Sequence, residues 1–110
     1  AFVPALVNSG LTSDSFVFYG FLPQKKGRQT KLKEISTEHR TMIFYESPFR
    51  LVKALSEFSD YLGAERQASV SREISKMFEE TKRGTLQELK IYFSQKTVKG
   101  EIVIVVAGAE

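Results

Sequence analysis

The longest uninterrupted apolar run in the chain, Ile102-Val103-Ile104-Val105-Val106-Ala107, is the strongest single constraint on what this sequence can fold into. It is far shorter than the roughly 18 residues that a membrane-crossing helix requires. Its β-branched side chains favour an extended strand. A strand with no polar alternation has to be covered on both faces, so it belongs inside a sheet with packing layers on each side. The chain must therefore supply partner strands and amphipathic helices. Its 110 residues suffice for one such core, or part of one, and not for two.

The partners are legible. Phe16 to Leu22 and Thr41 to Tyr45 are aromatic and β-branched strand candidates, and Gln67 to Ile74 and Phe78 to Lys82 read as two adjacent strands. Three helices are expected between them, after an apolar helical start at Ala1 to Val7. The first is a weak surface helix within Gln24 to Ser36, where only Leu32 and Ile35 are apolar. The second has Ser47 as N-cap, Pro48 at the first position and Gly63 after the last turn, with Leu51, Val52, Leu55, Phe58 and Leu62 on one face. The third opens with Thr85 and Glu88 as a capping box and turns Leu86, Leu89 and Phe93 inward. The resulting order predicts an α/β architecture with a mixed sheet flanked by helices.

Composition removes several kinds of chemistry. The chain has no cysteine, which excludes disulfides, thiolate metal sites and thiol nucleophiles and fits a cytoplasmic setting. One histidine, His39, allows no multi-histidine metal site and no proton-exchanging histidine pair; it reads as a loop residue. The seven glycines are too widely spaced for a phosphate-binding loop. The net charge of +3 is unevenly spread. Through Lys33 there are five basic residues and one acid, whereas from Glu34 onward eleven basic and twelve acidic residues nearly cancel. A localised anionic partner suits that distribution.

Three constellations remain as candidates. Tyr45-Glu46-Ser47-Pro48-Phe49-Arg50 lies where a buried strand ends and a capped helix begins, the position at which open α/β sheets bind ligands. A cap with a surface ion pair explains the same residues without function. Ser71-Arg72-Glu73-Ile74-Ser75-Lys76 lies near another strand end, where either Arg72 or Glu73 faces a cleft or both are charges that protect an edge. Lys25, Lys26 and Arg28, followed by Lys31 and Lys33, could neutralise phosphates or simply be a solvated face. Phe16, Phe18, Phe44 and Phe93 are expected in the core, leaving Tyr19, Phe49 and Tyr92 as possible stacking platforms.

Together these segments resemble a known family. Asp14-Ser15-Phe16-Val17-Phe18-Tyr19-Gly20-Phe21-Leu22-Pro23 is followed by Phe44-Tyr45-Glu46-Ser47-Pro48-Phe49-Arg50-Leu51. Arg72-Glu73-Ile74-Ser75-Lys76 comes next with Phe78-Glu79-Glu80 and Arg83-Gly84-Thr85-Leu86, and Gly100 to Val106 closes the series. In this order they resemble the C-terminal half of the ribosomal RNA small subunit methyltransferase I family, within the tetrapyrrole (corrin/porphyrin) methylase superfamily. The resemblance implies a five-stranded mixed sheet forming the C-terminal domain of a two-domain methyltransferase. The cofactor, S-adenosyl-L-methionine, would lie in the cleft shared with an N-terminal domain that carries a glycine-rich loop. Ala1 would then be the last residue of the Gly-Pro-Ser-Ala turn that precedes the first helix in the family. The implied reaction is methylation of a ribose 2′-hydroxyl of a cytidine in small-subunit ribosomal RNA.

Carried over by position, Tyr45, Glu46 and Ser47, then Ser71, Arg72 and Glu73, become the expected cofactor contacts. Glu46 or Glu73 becomes the candidate base for the hydroxyl proton, and Lys25, Lys26, Arg28, Arg50 and Lys76 the expected RNA contacts. No metal is implied. The implied partners are ribosomal RNA or the small ribosomal subunit, the N-terminal domain and a second copy in a homodimer, with no membrane. Two departures stand out: the family often has His where this chain has Phe49, and Leu-Thr where it has Ile74-Ser75. The rival expectations are a tetrapyrrole C-methyltransferase, which shares the fold, and a non-catalytic binding or dimerisation module.

Overall fold

The apolar run forms the middle strand of a five-stranded sheet. The computed structural model describes residues 5–6, 9–11, 15–75 and 78–110, with the side chains of residues 73–79 left outside that description. The strands are β1 (Phe16–Gly20), β2 (Thr41–Glu46), β3 (Gln67–Ser75), β4 (Phe78–Thr85) and β5 (Glu101–Val106), in spatial order β1-β2-β5-β3-β4. Only the β1–β2 pair is parallel. β5 runs antiparallel to both neighbours, with Ile104 opposite Phe44 on one side and Val70 on the other. The sheet is mixed, as expected.

Side chains alternate across a pleated strand, and β5 shows why its run must be apolar throughout. Ile102, Ile104 and Val106 join Met42, Phe44, Ala68 and Val70 beneath the helices. Val103 and Val105 point the other way, joining Ile43 in a second cluster with Ala5, Leu6 and Leu11. The helices α1 (Arg28–Ile35), α2 (Leu51–Leu62) and α3 (Leu86–Ser94) all cover the first face. They deliver the side chains that the helical spacing selected, including Leu55, Phe58, Leu86 and Leu89, all essentially inaccessible to water. Phe44 meets Phe58 at 4.8 Å between ring centroids and carries Tyr19 stacked on it at 5.4 Å. Burying each such residue is worth about 1.5–3 kcal/mol, so these layers supply most of the cohesion.

The local signals hold in detail. Ser47 Oγ accepts the Phe49 N–H at 3.2 Å and starts a 3-10 turn, Pro48–Arg50, that runs straight into α2. Gly63, at φ 111°, ends α2 in a conformation that a side chain would resist. At α3 the capping box is complete, with Glu88 N–H donating to Thr85 Oγ1 at 3.1 Å and Thr85 N–H to Glu88 Oε1 at 2.8 Å. The Thr85 N–H, and after it the Thr85 side chain, hold the Glu88 carboxyl below its usual range. β4 extends to Thr85, longer than expected, because Gly84 and Arg83 still pair with Ala68 and Ser69.

Two expectations change. The helix expected at the start lies outside the described residues apart from Ala5 and Leu6, which pack on the sheet. Phe16 and Phe18 are not core residues: they are 39% and 43% exposed, because β1 is an edge strand and they occupy the face away from the helices. Its other face carries Val17 and Tyr19 inward.

The segment after β5 is fastened to the loop before β2. Ala109 N–H donates to the Glu38 carbonyl at 2.7 Å, and His39 Nδ1 meets the Ala109 carbonyl at 2.8 Å. Gly108 lies so close that a Cβ would collide with the His39 carbonyl. Gly108→Ala is therefore expected to lower the melting temperature by several degrees, and an unchanged melt would show that this contact does not form. In the same loop Arg40 holds the Glu38 carboxyl down to about 2 from 4.5, through its side chain and its backbone N–H. A lowered carboxylate pKa contributes stability that is complete above about pH 4.5 and is lost as pH falls through about 2. Melting curves of Glu38→Gln should show a weaker pH dependence in that window than the parent.

Candidate functional site

Because β2 and β3 both oppose β5, they run parallel to each other, and β1 runs parallel to β2. The carboxyl ends of three strands therefore meet at one edge of the sheet, the edge where α/β proteins place ligands. A cavity of about 570 Å³ opens there, lined by Phe21, Tyr45, Glu46, Ser47, Pro48, Arg50, Gly100, Glu101 and Ile102. That volume suits a small organic ligand.

The cavity wall is built by the turn out of β2. Glu46 points to the helix side of the sheet, opposite Ile102, and is only 8% exposed. A carboxylate so enclosed needs donors. Its Oε1 receives the Ser47 N–H at 2.7 Å and lies 3.4 Å from Arg50 Nε. Ser47 caps the turn that aims Arg50 back at Glu46, so one short segment both ends the strand and fixes the acid. Tyr45 points to the opposite face, with Phe18 edge-on at 5.2 Å and Phe21 at 5.6 Å between ring centroids.

The described side chains of the second expected cluster, Ser71 and Arg72, reach the same edge but do not line the same cavity. Ser71 lies across β5 from Tyr45, both opposite Val103, which puts them roughly 10 Å apart on one face. Ser71 is buried, and its hydroxyl bonds that of Thr81 at 2.9 Å. Arg72 shares the face of Glu46 and pairs with Glu80 at 2.6 Å, in a smaller cleft of about 260 Å³ with Phe93, Lys96 and Val98. Of the two open readings for Arg72, the cleft-facing one describes it. Glu73 stands opposite Glu101, a residue of the main cavity, although its side chain is outside the described set. Lys76 lies outside the described residues altogether.

The cationic strip divides. Lys25 and Lys26 are exposed on the connection leaving β1 at this edge. Arg28 is turned inward instead: it is 8% exposed, binds Glu57 through Nε and Nη2 at 2.7–3.2 Å, and donates to the Pro23 carbonyl at 2.9 Å. Its guanidinium fastens α1 to α2 and has no face left for an outside phosphate, which corrects the expectation drawn from charge alone. Lys31 lies over the Tyr19 ring at 4.6 Å and near Glu34, and so it too is partly engaged.

Sequence reasoning missed four cavity residues, namely Phe21, Gly100, Glu101 and Ile102. Only the pairing of β5 beside β2 brings the last three to Glu46, and no local pattern encodes that neighbour.

No family model matches the chain. Among solved structures, the methyltransferase CobJ superimposes with a TM-score of 0.70 at 15% identity, covering 99% of this chain and 48% of its own. Cobalt precorrin-4 methyltransferase gives 0.67 at 13% identity (94% and 46% covered), and uroporphyrin III C-methyltransferase from Thermus thermophilus gives 0.62 at 16% (94% and 47%). The fold is thus the one that these tetrapyrrole methyltransferases share over about half their length. By sequence, the chain is 46% identical over 110 residues to the ribosomal RNA small subunit methyltransferase I of Synechocystis, covering 99% of this chain and 39% of that protein. The proteins of the same name from Mycobacterium tuberculosis and Pseudomonas aeruginosa are 46% and 43% identical, over 99% and 98% of this chain and 38% and 39% of theirs. The resemblance carried by the linked motifs is borne out: along nearly its whole length the chain is similar to proteins named ribosomal RNA small subunit methyltransferase I. It spans about two fifths of the length of these relatives.

The geometry separates a structural arginine from surface cations. Arg28→Ala should cost about 1–3 kcal/mol in chemical denaturation by leaving Glu57 unpaired. Lys26→Ala should cost less than about 0.5 kcal/mol.

Proposed function

We propose that this chain is the C-terminal domain of a two-domain S-adenosylmethionine-dependent methyltransferase acting on ribosomal RNA of the small subunit, at a ribose 2′-hydroxyl of a cytidine. The observation that carries this reading is 43–47% identity, along nearly the whole chain, to proteins named ribosomal RNA small subunit methyltransferase I. The N-terminal domain, a homodimer and a cytoplasmic location belong to the same proposal. No helix among the described residues is long and apolar enough to cross a membrane, which is compatible with it.

The residues present fit one wall of a cofactor site. Phe21, Tyr45, Pro48 and Ile102 offer apolar surface to a nucleoside, and the enclosed Glu46 carboxylate is an acceptor for hydroxyl or ammonium donors. When bound, S-adenosylmethionine supplies a methyl group already activated by its sulfonium. What the protein must add is in-line placement and a destination for the hydroxyl proton. Glu46 is the candidate base that the described geometry supports, because it lines the cavity with one oxygen already anchored by Ser47 and Arg50. That anchoring aims the carboxylate, and a proton leaving the ribose oxygen would pass to it as the oxygen–methyl bond forms and the sulfur–methyl bond breaks to leave a neutral thioether. Tyr45 and Ser47 then contact the cofactor from the same turn, with Ser71 and Arg72 further along the edge. Lys25, Lys26 and Arg50 are the cations available to RNA phosphates.

The solved neighbours act on tetrapyrroles, but their 13–16% identity speaks for fold alone, and the exposed lysines on the connection after β1 suit a polyanion better. A non-catalytic module remains a fair description of the isolated segment.

The test uses the intact protein. Lys25→Glu with Lys26→Glu is expected to weaken binding of small-subunit ribosomal RNA and to flatten its salt dependence by roughly one to two log units per log unit of salt. Glu46→Gln should lower the methyl-transfer rate at saturating cofactor by about 10²–10⁴-fold. Intact protein that transfers no methyl group to this RNA would overturn the reading. Calorimetry in which the 110-residue segment alone binds cofactor as tightly as the intact protein would contradict the shared cleft.

A further inference from the structure

Phe49 is 97% exposed, more than any other exposed large apolar residue among the described ones. Its chain neighbours Pro48 and Arg50 both line the cavity, so the backbone of Phe49 borders the candidate site. The exposure is built into the turn. Pro48 fixes the backbone before it, and the Phe49 N–H is tied to Ser47 Oγ. Leu51 and Leu55, next along the same segment, are completely buried. The fold therefore gains almost none of the 1.5–3 kcal/mol, roughly, that burying a Phe side chain can provide.

An apolar ring held in water beside a half-exposed arginine, with exposed Lys25 and Lys26 on the connection that leaves β1 at this edge, has the chemistry of a single-stranded nucleic-acid contact. Bases offer a π-face to an aromatic ring, while the cations meet the adjoining phosphates. Beyond Pro48, the residues that flank Phe49 in the chain, Ser47 and Arg50, are polar, which suits a nucleic-acid contact. We propose that Phe49 is a stacking platform for an unpaired nucleobase of the RNA substrate, positioning the strand so that an adjoining ribose enters the cavity. The inference rests on the RNA reading above and adds a residue that binds the base rather than the backbone.

The experiment measures RNA affinity against salt concentration, cofactor affinity, melting temperature and sedimentation for the intact protein and for Phe49→Ala, Phe49→Trp and Lys25→Glu/Lys26→Glu. Phe49→Ala should weaken RNA binding by about 5- to 150-fold with the salt slope unchanged, since it removes a stack and no charge. Melting temperature and cofactor affinity should stay at the parent values, and Phe49→Trp should retain RNA affinity. If Phe49→Ala binds RNA like the parent while the lysine reversals weaken it, the stacking role is wrong and the RNA reading stands. If neither set of changes affects RNA binding, both fail. A Phe49→Ala protein whose only change is a loss of self-association would reassign the ring to an interface between copies and overturn the proposal.

Discussion

The antiparallel pairing of β5 with both β2 and β3 is the interaction on which the rest of the structure depends. A strand buried on both faces can only be accommodated in the interior of a sheet, and its place there makes its two neighbours parallel to each other without any direct contact between them. That geometry brings the ends of β1, β2 and β3 to one edge. It also puts the start of β5, with Gly100 and Glu101, into the cavity beside Glu46. Shifting β5 by one residue would exchange its two faces and turn Ile102 and Ile104 away from the helices, so the register of the site and the register of the core are the same constraint.

Around that frame, charges are used in two ways. Arg28 with Glu57 joins two helices, and Arg40 with Glu38 steadies the loop that receives the end of the chain. Glu46 with Arg50 is different, because its pair faces a cavity and one member is enclosed. An enclosed carboxylate tethered by its own turn is held in one orientation at little entropic cost. This combination of burial, tether and open cavity is what separates a candidate site from a surface ion pair.

Much of this was legible locally. The caps at Ser47 and Thr85, the stop at Gly63 and the apolar faces of α2 and α3 follow from spacing and backbone chemistry within a few residues, and the structure repeats them. Tyr45, Glu46, Ser47 and Arg50 were legible for the same reason, since one turn carries them all. Arg28 was not. Its sequence neighbours are cations, but its partner Glu57 is 29 residues away on another helix, and only helix packing decides that it turns inward. Phe16 and Phe18 failed similarly, since an aromatic strand looks the same in sequence whether it lies at the centre or the edge of a sheet.

The sequence by itself determined the elements, their order, the two-sided burial of β5 and the family likeness, because each rests on residues adjacent in the chain or at a fixed helical or strand period. Tertiary structure alone decided which strands are neighbours, which cations remain free and which residues complete the cavity wall. Those outcomes depend on contacts between segments far apart in the chain, and the choice among possible neighbours is made by packing the whole sheet at once.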